Sequence, residues 1–163
     1  MPHLLAADLA ATGSSGLRWM ACYACWYLMA RGDTRTVHDL ARDLHQHWQP
    51  RLGDDDQTVQ AAAYYLGWAL REMGRYAEAR DLQQDILDRA RRLLGDDHSH
   101  TLGYAIELAA DLRLLGKVQA ARDLDQDTLD RRRRVLGEDH PDTLGSASYL
   151  AEDLRALGEA DGP

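Results

Sequence analysis

The chain has 163 residues, of which 19 are Lys or Arg and 27 are Asp or Glu, so its formal net charge is −8. This length suits one domain. The acidic balance argues against binding to nucleic acid or to anionic membranes, because a protein that binds either usually has an excess of basic groups. No apolar run approaches the roughly 18 residues of a membrane span, and the first residues lack the features of a signal peptide. We therefore expect a soluble, cytoplasmic protein.

Helical patterns follow one another along the chain, and no segment alternates with the two-residue period of a strand. The composition is rich in Leu and Ala and poor in Val and Ile, which also favours helix. The pattern predicts a short leading helix, three pairs of helices and a final helix without a partner, none interrupted by Pro. The predicted helices cover 3–11, 15–31 with 35–49, 57–73 with 76–93, 100–115 with 118–135, and 142–157.

The predicted pairs are copies of one another, because the same residues recur every 42 positions. The pair Leu94-Gly95 returns as Leu136-Gly137, and a series of glycines that end the first helices has the same spacing: Gly32, Gly74, Gly116 and Gly158. Each of these glycines is expected to adopt the left-handed conformation that ends a helix. We therefore expect a single domain over 1–163, with a leading helix 3–11, units 15–52, 57–94 and 99–136, and a terminal helix 141–158.

An acidic loop precedes each of the later first helices and supplies its cap. His98 and His140 are repeat equivalents in these loops, which favours a capping role over metal binding. His45 and His47 are two apart and point to different sides of a helix. We therefore expect no metal site and no cofactor.

Three stretches resemble the tetratricopeptide repeat (TPR) family in its 42-residue, kinesin-light-chain-like variety: LGEDHPDTL (136–144), SASYLAEDLRALG (146–158) and GRYAEAR (74–80). The resemblance covers 15–158 and implies an all-α fold, a right-handed TPR superhelix (α-solenoid) of about three and a half helical hairpins. Gln83 and Asp125 depart from the family, since they stand where its second helix usually carries a bulky aromatic.

The repeats are most similar to those of bacterial, specifically actinobacterial, signalling proteins, in which the array often follows a nucleotide-binding STAND or NB-ARC module. This sequence lacks that module. Its only Gly-Lys pair, Gly116-Lys117, is followed by Val118 and has no phosphate-loop glycine upstream.

The same resemblance implies that the first helices line a concave groove. An aromatic cluster would lie in its N-terminal half: Trp19, Trp26, Tyr64 and Trp68. One arginine would recur in each later unit, and we call this series the Arg ladder: Arg71, Arg113 and Arg155. Arginine suits bidentate binding of carboxylates, and Trp and Arg are favoured anchors of protein interfaces. This predicts a protein or peptide partner, with its acidic groups on the Arg ladder; alternatively, each arginine pairs with a nearby Asp such as Asp111 or Asp153.

Two further patterns have a structural interpretation. Cys22 and Cys25 form a CxxC in mid-helix, where packing is favoured over redox or zinc chemistry. The run Arg131–Arg134 spreads around a helix, and Asp127 and Asp130 lie within one turn for pairing. We expect no nucleic-acid contact there and find no catalytic constellation, so the chain is not predicted to be an enzyme.

The primary interpretation is a non-catalytic protein-interaction module that binds a peptide or protein segment in its groove. A first alternative is self-association as a homodimer through the unpaired terminal helix, which would leave three leucines partly uncovered: Leu150, Leu154 and Leu157. A second alternative is a sensor fragment of a larger STAND-type signalling ATPase.

Overall fold

The computed structural model describes residues 14–158, which form seven helices joined by short loops and contain no strand. The helices are α1 Ser15–Ala30, α2 Thr34–Leu52, α3 Gln57–Glu72, α4 Tyr76–Leu94, α5 Ser99–Leu114, α6 Val118–Leu136 and α7 Pro141–Ala156. Every predicted pair is therefore present, with ends within three residues of those predicted. The predicted leading helix 3–11 lies outside the described residues.

One helix end differs from the prediction because a proline lies inside the helix. The predicted second helix stops at residue 49, whereas α2 continues to Leu52 and includes Pro50. Proline removes one backbone hydrogen-bond donor. In the last turn the loss is confined to the helix end, where Gly53 then donates to the carbonyl of Gln49 over 3.0 Å. The expectation that no Pro lies within a helix is wrong at this position.

The repeated glycines end the first helices as predicted. Their φ angles are 71° at Gly32, 77° at Gly74, 73° at Gly116 and 71° at Gly158, in the left-handed region. At the end of α5, the N–H of Gly116 donates to the carbonyl of Arg113, and the N–H of Lys117 donates to the carbonyl of Leu112, both over 2.9 Å. These two bonds form a Schellman motif, which satisfies carbonyls that the helix leaves open.

The first helices begin at side-chain caps that also recur every 42 residues. Asp56 accepts a hydrogen bond from the N–H of Thr58 over 2.8 Å at the start of α3. His98 and His140 use their Nδ1 atoms in the same way at the starts of α5 and α7, each accepting from a backbone N–H over 3.2 Å. Their predicted capping role is confirmed.

The described residues divide into two compact units, the first ending at Leu82 and the second beginning at Gln83. In the first unit, α2 packs against both α1 and α3, and α1 also packs against α3. Side chains of all three helices form its core, including Cys25, Leu44, Trp48 and Val59. A single hairpin cannot bury its own apolar side. The core of this unit therefore forms only because α3 packs against the hairpin of α1 and α2.

In the second unit, α6 packs against both α5 and α7. Leu87 of α4 packs with Ala105 and Leu108 of α5 in an apolar cluster. No helix in this unit or the first has both the length and the apolar character needed to cross a membrane, as far as the described residues extend. The single domain expected over 1–163 stays a prediction.

The terminal helix is covered differently from what we expected. Leu150 is buried, and Leu154 and Leu157 are half-buried. Leu150 is the repeat equivalent of the buried Leu108, and α7 packs against α6. The exposed apolar side chains of α7 are instead Leu144 and Tyr149. The prediction of partly uncovered leucines is therefore confirmed at Leu154 and Leu157 and wrong at Leu150.

Two glycines of the second unit give a matched test of backbone conformation: Gly116, which ends α5, and Gly103, which lies inside it. Gly116→Ala should lower the free energy of unfolding by about 1 kcal/mol, because alanine is strained at positive φ. Gly103→Ala, inside the second turn of α5, should raise it by about 0.5–1 kcal/mol, because alanine is the better helix former. Neither added methyl group meets an atom within 4 Å. Urea denaturation measures both changes. If both substitutions shift the free energy of unfolding in the same direction, the left-handed conformation assigned to Gly116 is contradicted.

Candidate functional site

An aromatic surface lies on the first helices of the first unit, and we define it by Trp19, Trp26, Tyr64 and Trp68. Trp19 and Trp26 stand two turns apart on α1 and are 46% and 44% exposed. Tyr64 and Trp68 stand one turn apart on α3 and are half-buried. Because α1 packs directly against α3, the cluster predicted from the sequence occupies two neighbouring helices.

Polar contacts tie α1 to the beginning of α3. The Nε of Arg18 donates to Oγ1 of Thr58 over 3.1 Å, and its Nη2 lies 3.5 Å from a carboxylate oxygen of Asp56. The thiol of Cys22 donates to the carbonyl of Thr58 over 3.8 Å. Burial alone would raise the pKa of Asp56, but hydrogen bonds from Thr58 and the charge of Arg18 hold it below its ordinary value. Asp56 is therefore ionised at neutral pH, where it caps α3 and anchors α1.

The two cysteines of α1 belong to the core. Cys22 and Cys25 are free thiols and are buried. Burial raises the pKa of each thiol to about 12, so both stay protonated at neutral pH. A protonated thiol is a poor nucleophile and a poor metal ligand, which supports the packing interpretation. Within residues 14–158, no three His, Cys, Asp or Glu side chains converge as a metal ion would require.

The arginines of the Arg ladder differ in their surroundings. The Nη1 of Arg113 lies 3.2 Å from a carboxylate oxygen of Asp125 and 3.3 Å from one of Asp153, and the Arg113 side chain is only 18% exposed. Pairing with Asp153 was the alternative interpretation. Arg71 is half-buried and Arg155 is exposed. A partner-binding role for these arginines stays a prediction.

Asp125 and Asp153 form a buried acidic pair beside Arg113. Both carboxyl groups are fully buried. Burial, above all, and the neighbouring Asp153, through a hydrogen bond and its charge, together raise the pKa of Asp125 to about 7 against the opposing charge of Arg113. Burial also raises the pKa of Asp153. The two carboxyl groups titrate as one unit, in which a shared proton leaves a single negative charge to balance the guanidinium.

Comparison with known proteins decides the family. The sequence profile of the tetratricopeptide repeat matches residues 59–100 and 101–142, which together make up more than half of the chain. The chain belongs to the tetratricopeptide repeat family. Tetratricopeptide repeats are scaffolds for protein–protein interaction, and repeat arrays of this kind present extended binding surfaces. No curated protein sequence matches the chain.

The solved structures that are similar to the chain include two repeat proteins. One contains the nearly identical TPR-like repeats of a Podosopora anserina protein described as a kinesin light chain, with 21% identity over 86% of this chain and a TM-score of 0.79. The other is BtubC (BKLC) from P. vanneervenii, with 14% identity over 88% of this chain and a TM-score of 0.80. At these identities the likeness concerns the fold, and it confirms the expected all-α TPR class. The chain spans 66% and 57% of these two solved chains.

The basic run of the TPR chain is engaged within the second unit. Arg131 contacts Asp127 over 2.8 Å and Asp97 over 2.9 Å, and Arg133 lies 3.7 Å from Asp130. The predicted pairing with acidic residues of the same helix is confirmed. Beside Arg131 lies a small cleft with a volume of about 10 Å³, which is room for about one water molecule and far too little for a small-molecule ligand.

Sequence reasoning missed part of the apolar surface of this TPR chain. Three further large side chains of α1 are exposed: Met20, Tyr23 and Tyr27. Their spacing of three and four residues puts them on one side of the helix. That spacing is visible in the sequence. The resemblance drew attention to the groove positions instead, and only the structure shows which side of α1 faces its neighbours.

The acidic pair predicts a pH-dependent stability. The pKa of Asp125 is about 7 in the folded chain, whereas the ordinary pKa of an aspartate is 3.8. Between these two pH values the folded chain keeps a proton on Asp125 that the unfolded chain has lost. Stability is therefore expected to fall as the pH rises through this window, by on the order of a few kcal/mol at about 1.4 kcal/mol per pKa unit. Asp125→Asn should remove most of this fall in urea denaturation measured from pH 4 to pH 8.

The preceding repeat supports the choice of variant, because Gln83, a neutral and fully buried side chain, is the repeat equivalent of Asp125. Asp123→Asn, at an exposed position of the same helix, serves as the control and should keep the wild-type pH dependence. If the Asp125→Asn variant loses stability with rising pH as steeply as the wild type, the raised pKa of Asp125 is not the cause of the pH dependence.

Proposed function

We propose that the chain binds a peptide or protein segment of a partner on the aromatic surface of its first unit. The observation that carries the proposal is the exposure of Trp19 and Trp26 on α1 beside Tyr64 and Trp68 on α3. Large apolar side chains exposed together on a soluble protein usually mark an interaction site. Tryptophan is also the residue type most often found at the energetic centre of protein interfaces.

The scaffold supports such a role because it holds these rings in place before binding. Trp19 and Trp26 belong to a helix whose opposite side is fixed in the core by Cys25, and whose beginning is tied to α3 through Arg18. Tyr64 contacts Tyr65 with ring centroids 5.5 Å apart in an edge-on arrangement. A surface that is already ordered loses little conformational entropy when a partner binds.

The arginines contribute unequally to the proposed recognition. In the second unit, Arg155 is exposed at the end of α7, where a carboxylate of the partner can reach it. Arg113 already lies between two buried carboxylates and is mostly covered. Its charge is therefore largely balanced within the chain. We propose that Arg155 is a contact for acidic groups of a partner within the second unit, and that Arg113 mainly positions α6 and α7.

The experiment begins with a peptide selected from a random phage-displayed library on the full wild-type chain. Trp26→Ala and Trp68→Ala should each weaken its binding by at least tenfold, measured by fluorescence polarisation, because each removes an aromatic anchor. Tyr149→Ala removes an exposed aromatic of the second unit and should leave the affinity unchanged.

Circular dichroism checks that each variant keeps its helicity. An affinity that survives both tryptophan substitutions would reject the aromatic surface as the binding site. Arg155→Glu separates the second part of the proposal, since it should weaken the binding of acidic peptides and leave neutral ones unaffected. Equal loss for both kinds of peptide would contradict a charge contact at Arg155.

A further inference from the structure

The tryptophans of the aromatic surface carry hydrogen-bond donors that the chain itself does not use. An indole ring has one N–H donor and no acceptor. Trp19 and Trp26 are exposed and Trp68 is half-buried, and none of the three donates a hydrogen bond to another of the described residues. A partner that covers this surface must supply acceptors for these donors, because a donor that is buried without an acceptor costs free energy.

The first unit around this surface is almost balanced in charge. Residues 14–82 contain eight arginines and nine Asp or Glu. The helix α1 has no Asp or Glu, and its Arg18 is turned towards Thr58 and Asp56 and is only 11% exposed. Charge complementarity therefore favours neither a strongly acidic nor a strongly basic partner here, and an uncharged segment fits this unit best.

The spacing of the tryptophans on α1 matches one regular backbone conformation. Trp19 and Trp26 are seven residues apart, which along an α-helix is a rise of about 10.5 Å. A polyproline II helix has three residues per turn, so its residues i and i+3 lie on one edge, about 9.3 Å apart. Two side chains of that edge can each contact one of these tryptophans, while the residues between them face Tyr64 and Trp68 on α3.

Two other backbone conformations suit the surface less well. An α-helix uses its carbonyl groups internally, so it offers the indole donors no backbone acceptor along most of its length. An extended strand needs an open sheet edge for pairing, and residues 14–158 contain no strand. A polyproline II helix has no internal hydrogen bonds, so its carbonyls stay available as acceptors, and each proline removes a backbone N–H that would need an acceptor.

We propose that the aromatic surface binds an uncharged, proline-rich segment in the polyproline II conformation, whose carbonyls accept from the indole N–H groups of Trp19 and Trp26. This inference rests on the proposed function, because it names the ligand class of the same site. Aromatic-lined grooves of several unrelated domains bind such segments, since a polyproline II segment is ordered before it binds and loses little conformational entropy. Tyr23, whose ring centroid lies 5.1 Å from that of Trp26, widens the apolar contact.

The probe is a fluorescein-labelled dodecapeptide of four Pro-Pro-Leu units, which places a leucine on the same edge at every third residue. Its binding to the full wild-type chain is measured by fluorescence polarisation up to millimolar concentration. The matched probe has glycine in place of every proline. It keeps the leucines and the carbonyls, but it loses the preformed helix and gains N–H donors, so it should bind about tenfold more weakly.

Substitutions in the chain test the indole contacts themselves. Trp19→Phe/Trp26→Phe keeps an aromatic ring at both positions and removes two N–H donors, so the affinity for the proline probe should fall by about fivefold or more. Tyr149→Phe, which removes the hydroxyl of an exposed aromatic in the second unit, is the control and should leave the affinity unchanged. Circular dichroism should show the wild-type helicity for both variants.

The outcomes distinguish this inference from the proposed function. If the proline probe does not bind, while a library-selected peptide binds and loses affinity in Trp26→Ala and Trp68→Ala, the peptide site stands and the polyproline II ligand is overturned. Equal affinity for the two probes overturns it as well, as does a proline probe that binds Trp19→Phe/Trp26→Phe like the wild type. A proline probe that binds Trp26→Ala and Trp68→Ala with full affinity binds elsewhere on the chain, which contradicts the inference and the proposed site together.

Discussion

The structure depends on one packing constraint, which is that the apolar side of a helical hairpin is covered only by a further helix. In the first unit α1 and α2 form a hairpin, and α3 completes the core around Leu44 and Trp48. In the second unit α7 covers α6 in the same manner. Stability is then a sum over hairpins and the contacts between neighbours. The outward sides of the first helices contribute little to it, so they can carry side chains suited to binding.

Much of the fold could be predicted from the sequence, because the 42-residue period reports on backbone geometry. A glycine that must adopt positive φ, such as Gly116, and a cap that must accept a backbone N–H, such as His140, can be recognised from residue type and spacing alone. The prediction was less good where tertiary packing decides. Pro50 is tolerated because it falls in a last turn, and Leu150 is buried because α7 packs against α6.

The candidate site could be predicted only in part. The aromatic residues were found because the resemblance assigns positions to the first helices, yet Met20 and Tyr23 were not, since their exposure depends on which side of α1 has a neighbour. The acidic pair with Arg113 has only a weak sequence signal, namely Asp125 at a place where the family usually has an aromatic. Its partner Asp153 comes from another helix, and one sequence does not show that the two carboxyl groups meet.

The most direct test of the central claim uses the indole N–H signals of the nitrogen-15-labelled full chain. The chain has four tryptophans, and Trp48, buried in the core, is an internal reference within the same spectrum. Titration with a library-selected peptide should shift the signals of Trp26 and Trp68 and leave that of Trp48 in place. If the peptide binds while Trp26 and Trp68 stay unperturbed, or if Trp48 shifts as much as they do, the aromatic surface is not the binding site.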